Sequence, residues 1–551
     1  MPAQAESREN NCTSAHASPS QPGSCPNVAS NVLKFYPDSH LALQLWALYV
    51  KSVDPVLKIL HIPTTQSAVI ATILDPKSAS ASMLALTFAI YFAALTTLDH
   101  TDEPIELPME NSVLLKHYKT ALDRLLLVTE VMNRPEMAAL QALAIYTTCL
   151  RVHETGRSAW VLNGLAIRLA QSIGLHRDGA TFRLSPFDTE MRLRLWWHLC
   201  VLDSRAPEDQ GFELTIDVLN RGLRLPLNID DNQLFPSMTK LPAETVGWTE
   251  MSFFLIQTES CRLLHPVLGT REHSPPNTLP DITAKRQMIQ ERTQYILFKY
   301  GISSKTPGQL PLIAMQHLTT ACKKMEFMLQ LREEIDLQKQ EGVQDDTTDV
   351  LRPSFKLACD GLESSFILLK GGLSLGFKWL FTTYTPWYAL AYVLRCLSNN
   401  PCEQNTERAW ALVEGIFPQE LSLNDVSETR EEDGHGSIWK CLALLRYQAQ
   451  SSRISQRSAN NGTQTPVEHR APSSLGPVEN IQETEPPPAY TTPHVSAFSG
   501  YGMITDEELM ADPNQNLFSS FDFSMSRVPY LPEWNAVIHG SLMDESNPDL
   551  M

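Results

Sequence analysis

The sequence predicts an all-α protein, a multi-helix domain flanked by disordered N- and C-terminal tails. Three observations carry this. From Phe35 to about Gln450, apolar residues recur at helical spacing over helix-length stretches. Strand-like alternation is nearly absent over the same span. Both ends shift to polar compositions that cannot offset the entropy of ordering. With 551 residues and 43% hydrophobic, the chain has enough apolar material for a sizeable core.

In chain order, residues 1–35 are rich in Ser, Pro, Asn and Ala and read as a disordered tail. They show no positively charged start followed by an apolar core, so no secretory signal is expected. Residues 36–450 form the helical domain. Its most apolar run, Met83 to Leu98, is shorter than the roughly 20 residues a membrane-spanning helix needs, and is read as a buried core helix. Residues Glu272 to Pro280 and Glu341 to Pro353 are read as loops.

A helix from about Ala159 places Leu162, Leu165, Ala166, Leu169, Ala170 and Ile173 on one face, with Gly174 as its C-terminal cap. Gly164 lies inside it, where glycine costs up to about 1 kcal/mol relative to alanine, so a close approach by another backbone is expected there. A second helix starts at Ser185-Pro186-Phe187-Asp188, with Ser185 capping, Pro186 in the first helical position and Asp188 completing a capping box. Asp188/Arg192 and Glu190/Arg194 are i, i+4 pairs expected on its solvated side, opposite Met191, Leu195, Leu199 and Leu202. Trp196 and Trp197 project in adjacent directions, so at least one must enter a core. After Asp203 an acidic loop ending at Gln210-Gly211 and an extended segment, Leu225 to Asp231, are expected.

Residues 451–500 hold seven prolines among Ser, Thr, Asn and Gln and read as a linker. Residues 501–551, Tyr501 to Met551, carry nine acidic residues against one basic one, Arg527, interleaved with Phe518, Phe521, Phe523, Tyr530 and Trp534. Simple solvating tails have few aromatics, so this is a candidate activation segment that offers its rings to a partner's groove.

The charge balance of −18 argues against a surface that grips nucleic acid throughout, because phosphate neutralisation needs clustered Lys and Arg. The ten cysteines contain no Cys-x2-Cys pair, so neither a zinc site nor a disulfide framework is signalled; no metal and no cofactor is expected.

The run from Ala159 to Asp178, then Glu190 through Trp196-Trp197 to Leu202-Asp203, then Leu225-Pro226 to Asp230-Asp231, closely resembles the regulatory middle homology domain of fungal zinc-cluster transcription factors. Weaker similarity continues in Trp387 to Leu394 and Glu407 to Trp410, so the resemblance covers roughly residues 40–420. The family's basic triplet before the paired tryptophans stands here as Arg192-Leu193-Arg194, and its Gly-Arg-Pro is reduced to Gln210-Gly211-Phe212. The family's two-zinc, six-cysteine reading head has no counterpart: only Cys12 and Cys25 precede the helical domain.

The resemblance implies a nuclear transcriptional regulator of RNA polymerase II-dependent genes in a fungus, for a pathway or gene cluster. Without the zinc cluster it would act through a DNA-bound transcription factor or family member, with residues 501–551 recruiting transcription machinery. The alternative is that the coding sequence is truncated and a zinc cluster, hence direct DNA contact, is encoded upstream. Nuclear location rests on the resemblance alone, since no Lys/Arg-rich import signal is visible. No membrane partner is expected, and the residues name no ligand contact, oligomeric state or target gene.

Enzymatic readings rest on weaker patterns. Gly372-Leu373-Ser374-Leu375-Gly376 matches the nucleophile elbow of α/β-hydrolases, with Asp425 and His435 following in that fold's order. The elbow needs a strand before the serine and a helix after it, and the flanks lack that pattern. His176-Arg177-Asp178 matches a kinase catalytic loop, but Arg183 stands where that loop needs an Asn. Asp102 and Glu103 read as solvated charges. The expected catalytic residues are therefore none, with Ser374 the alternative.

Overall fold

The computed structural model describes residues 31–101, 104–126, 132–154, 157–210, 223–268, 281–302, 308–341, 352–372, 376–384, 386–399, 406–417 and 434–461. Among these residues every regular element is a helix and there is no strand, as the all-α reading predicts. The first eight helices are α1 Ser39–Ser52, α2 Asp54–Leu57, α3 Ile62–Leu74, α4 Ala81–Thr97, α5 Asn111–Leu126, α6 Met137–His153, α7 Arg157–Ser172 and α8 Pro186–Gln210. Then follow α9 Ser252–Leu268, α10 Ile282–Lys299, α11 Gln309–Glu341, α12 Pro353–Lys370, α13 Lys378–Phe381, α14 Trp387–Asn399, α15 Thr406–Ile416 and α16 Gly434–Asn461. Among the described residues, those up to Ser452 belong to one compact unit, and α16 crosses the 450/451 junction expected from composition and continues as helix to Asn461.

The core of the first half is α4, wrapped by α1, α5 and α6. Its start is fixed by Ser80, whose Oγ accepts the Met83 N–H at 3.2 Å. With apolar residues on every side and only a few hydroxyls among them, it is buried nearly end to end, as the Met83 to Leu98 reading requires. The window Ala81–His100 is long and apolar enough to cross a membrane, yet 83% of it is buried inside the fold. Its buried threonine hydroxyls bond back to their own helix, Thr87, Thr96 and Thr97 donating to the Leu84, Phe92 and Ala94 carbonyls at 3.0, 2.9 and 2.8 Å, and Thr96 also meets His153 Nε2 at 2.8 Å. The second half is built on the α11–α12 pair, with α9, α10, α14 and α15 against it. A seam between the halves is pinned by Trp379, whose indole N–H donates to the Ser52 carbonyl at 3.1 Å.

The two helices read from sequence are present, with three corrections. Gly174 does end α7, in a left-handed conformation (φ 75°) that suits glycine. Gly164 meets no close backbone: a Cβ there would find nothing within 4 Å. The second helix does not stop at Asp203 but runs to Gln210. The third correction concerns its polar face, which is only partly solvated. Asp188 is exposed and Arg192, which donates to the Ile173 carbonyl, is half-buried, but Glu190 and Arg194 are each 1% exposed. The reason is that α8 is surrounded: α6, α7 and α9 pack on it, and both Trp196 and Trp197 are buried. The Ser185 cap is as read, its Oγ accepting from the Asp188 N–H at 3.0 Å, but the Asp188 carboxylate takes the Ser185 hydroxyl at 2.7 Å where a capping box would take the Ser185 backbone N–H.

Candidate functional site

The residues that carry the sequence motif converge on one buried cluster of charges. Its floor is α2, where Asp54 opens the helix and Lys58 closes it in a left-handed conformation (φ 46°), its N–H bonded to the Asp54 carbonyl at 2.9 Å. That bend turns the Lys58 side chain inward. Its Nζ donates to Asp54 Oδ2 at 3.0 Å, Asp231 Oδ2 at 3.1 Å and Glu250 Oε2 at 2.9 Å. From the opposite side, α8 sends Arg194 Nη1 to Asp231 Oδ1 at 2.7 Å, with both side chains almost wholly buried. Asp231 is thus shared by two cations, and its carbonyl meets His61 Nε2 at 2.9 Å.

The electrostatics follow from burial and from who faces whom. Desolvation opposes the charge on Asp231, but Arg194 and Lys58 outweigh it and hold its carboxyl below the usual range. Desolvation wins at Asp54, whose carboxyl is pushed up to about 6 although Lys58 opposes the rise. Its Oδ1 is buried with no hydrogen-bond partner, which adds to the cost of keeping this carboxylate ionised. Burial alone would lower the Lys58 ammonium; Asp54, Asp231 and Glu250 together raise it.

Next to this cluster the extended segment is locked down by its own residues. Glu190 pairs with Arg224 and accepts the Leu227 N–H at 3.0 Å. The Trp197 indole donates to the Arg224 carbonyl at 2.8 Å. Asn228, fully buried, makes every bond its amide can: Nδ2 to the Thr245 and Gly247 carbonyls at 2.8 Å each, and Oδ1 from the hydroxyls of Thr249 at 2.7 Å and Ser252 at 3.0 Å. A pocket of about 530 Å³ opens beside the cluster, lined by Asp54, Lys58, Asp231, Trp248 and Glu250 among others. Asp54, Lys58 and Glu250 lie outside the motif; the Asp54/Lys58 i, i+4 spacing was their one sequence signal, and such pairs are usually solvated.

This arrangement holds four distant segments together: 54–62, 190–197, 224–234 and 249–252. Residues 46–270 match the model of the fungal specific transcription factor domain. The chain carries a fungal specific transcription factor domain. Curated relatives include the aurofusarin cluster transcription factor of Gibberella zeae, 26% identical over 72% of this chain and 58% of the relative. The pyriculol/pyriculariol biosynthesis cluster transcription factor 1 of Pyricularia oryzae is 25% identical over 74% of this chain and 55% of the relative. A C6 finger domain transcription factor of Aspergillus fumigatus is 25% identical over 81% of this chain and 59% of the relative. The chain thus spans little more than half the length of these relatives, and within its 551 residues there is no Cys-x2-Cys spacing.

The enzyme-like patterns land elsewhere. Ser374, Asp425, Asp102 and Glu103 lie outside the described residues, as do Cys12, Cys25 and all of 501–551. Helix α12 runs to Lys370, occupying the place where a hydrolase elbow needs a strand. In the described Gly174–Phe182 turn, Asp178 caps a short 3-10 helix by accepting the Ala180 N–H at 3.0 Å, and Arg177 Nε donates to His176 Nε2 at 3.2 Å, the polar loop read from sequence. Among the described residues no group of three or more His, Cys, Asp or Glu could hold a metal ion.

Proposed function

We propose that this chain is a non-enzymatic regulator of transcription in a fungal nucleus, acting on RNA polymerase II-dependent genes of a pathway or gene cluster through a DNA-bound partner. The match of residues 46–270 to the fungal transcription factor domain carries this reading, and two of the relatives are named for the biosynthetic clusters they serve. Within these 551 residues, the charge balance of −18 and the lack of any Cys-x2-Cys spacing support a DNA contact made through a partner. In this reading the helical domain is the body that docks, and Tyr501 to Met551 recruits transcription machinery through Phe521, Trp534 and their neighbours.

Tethering the full chain to an unrelated DNA-binding domain should raise reporter output, and alanine at Phe521 and Trp534 should reduce it. Mobility-shift assays with the purified chain alone should show salt-sensitive, unselective retention at most. Sequence-selective capture of a duplex by the isolated chain would overturn the partner mechanism, and a silent tethered reporter would overturn the role of the tail.

A further inference from the structure

A second cavity, of about 120 Å³, lies between the end of α8 and helices α9, α11, α12 and α14. It shares no lining residue with the pocket beside the charge cluster and has the opposite character. Its walls are mostly apolar, and the ionisable side chains among its described lining residues are cationic or neutral: Arg205, Lys324 and His317 face it together with Cys261, Tyr384 and Tyr388, and no Asp or Glu does. The aromatic groups are oriented by specific contacts. The Arg205 guanidinium stacks 3.5 Å from the centre of the Tyr384 ring, and the Tyr384 hydroxyl accepts from Gln257 Nε2 at 2.8 Å. Lys324 Nζ stands 5.4 Å from the centre of the Tyr388 ring. His317 sits edge-on to Tyr384, with ring centres 5.7 Å apart and planes at 82°, and 6.3 Å from Phe381.

Size, wall chemistry and charge select one ligand class. An apolar cavity of about 150 Å³ takes up benzene; the space here, about 120 Å³ and not fully enclosed, is of the same order and limits an apolar guest to a single ring. Ring faces and aliphatic side chains would hold that ring, and a planar guanidinium stacked on a tyrosine is preorganised for two-point recognition of a carboxylate. Both cationic groups are half-buried, where their attraction for an anion is stronger than in bulk water. We propose that this cavity is a binding site for a monocyclic aromatic carboxylate, with Arg205 and Lys324 receiving the carboxylate and the Tyr384–Phe381 side holding the ring. Because α8 carries Arg205 at one end and Arg194 of the charge cluster further up, occupancy would bear on the helix that anchors the motif segment. Binding itself stands whether or not the chain regulates transcription.

The test uses 4-fluorobenzoate and 4-fluorobenzyl alcohol as fluorine NMR probes with the full chain. Saturable broadening of 4-fluorobenzoate, reversed by benzoate and at least tenfold weaker for the neutral alcohol, is expected. Lys324→Gln and Arg205→Gln should each weaken binding about tenfold, while Ala389→Phe, which fills the cavity, should abolish it. Circular dichroism melts identify any variant that fails to fold, and Lys324→Gln, altering a half-buried side chain, carries the test if Arg205→Gln unfolds. No saturable broadening, equal binding of acid and alcohol, or unchanged affinity in folded Lys324→Gln and Ala389→Phe would each overturn the assignment.

Discussion

Replacing Asp231 with asparagine separates two ways of thinking about the buried cluster. A count of charges, with three carboxylates facing two cations, suggests that removing one acid relieves crowding. Geometry says otherwise, because Arg194 is 1% exposed and its Nη1 bond to Asp231 at 2.7 Å is its link to a carboxylate, while its Nε has no hydrogen-bond partner. Lys58 retains Asp54 and Glu250 after the substitution, so the loss falls on Arg194. Stranding one partner of a buried pair costs about 3–5 kcal/mol. At no more than about 2 °C per kcal/mol for a domain of this size, the melting temperature should fall by up to roughly 6–10 °C. Urea and thermal unfolding of the full chain, followed by circular dichroism and tryptophan fluorescence, would measure it. Arg194→Met combined with Asp231→Leu removes both charges and should recover much of the loss, since apolar replacements of buried pairs are often neutral. A single-variant cost below about 1 kcal/mol, or a double variant as unstable as the sum of its singles, would refute the reasoning.

Asp54 should make the fold favour mild acid: its carboxyl binds a proton more tightly folded (about 6) than unfolded (3.8), so its contribution is full below 3.8 and is lost as pH rises through 6. Relative to Asp54→Asn, the natural protein should therefore lose about 2 kcal/mol between pH 4 and 7, read from urea titrations at each pH. His198 acts in the opposite sense. Burial lowers its imidazole from 6.5 to about 3, so its stabilisation is present above 6.5 and lost as pH falls, by about 2 kcal/mol on reaching pH 5; His198→Gln should flatten that part of the curve. The two glycines of the motif should respond with opposite signs in thermal melts. Gly164→Ala meets open space inside a helix and should stabilise by about 0.5–1 kcal/mol, whereas Gly174→Ala, at φ 75° and with Phe182 2.9 Å from the new Cβ, should destabilise by about 1–2 kcal/mol.

Local signals were readable wherever the physics is local. The Ser185 cap, the Gly174 stop and the mostly apolar α4 each depend on a few consecutive residues, and each stands where the sequence puts it. Glu190 and Arg194 were misread because i, i+4 spacing says that two charges share a helix face, not that the face meets water. What hides them is Arg224 and Asp231, some thirty-odd residues further on. The adjacent Trp196 and Trp197 held the missing clue, since two indoles pointing in different directions require neighbours on more than one side of α8. The aromatic cavity had no sequence signature at all: its walls come from α8, α9, α11, α12 and α14, and only packing brings Arg205 onto Tyr384.

The all-round apolar surface of α4 has a consequence during synthesis. The helix is complete at Thr97, but α6, which covers much of it, is not finished until His153. At about 5–20 residues per second, the ribosome leaves that surface without its cover for roughly 3–11 s. For that interval the nascent chain displays a stretch that chaperones and membrane-insertion machinery both recognise by greasiness. Slowing elongation between codons 98 and 153 should therefore lower the yield of soluble protein more than the same pause placed after α6.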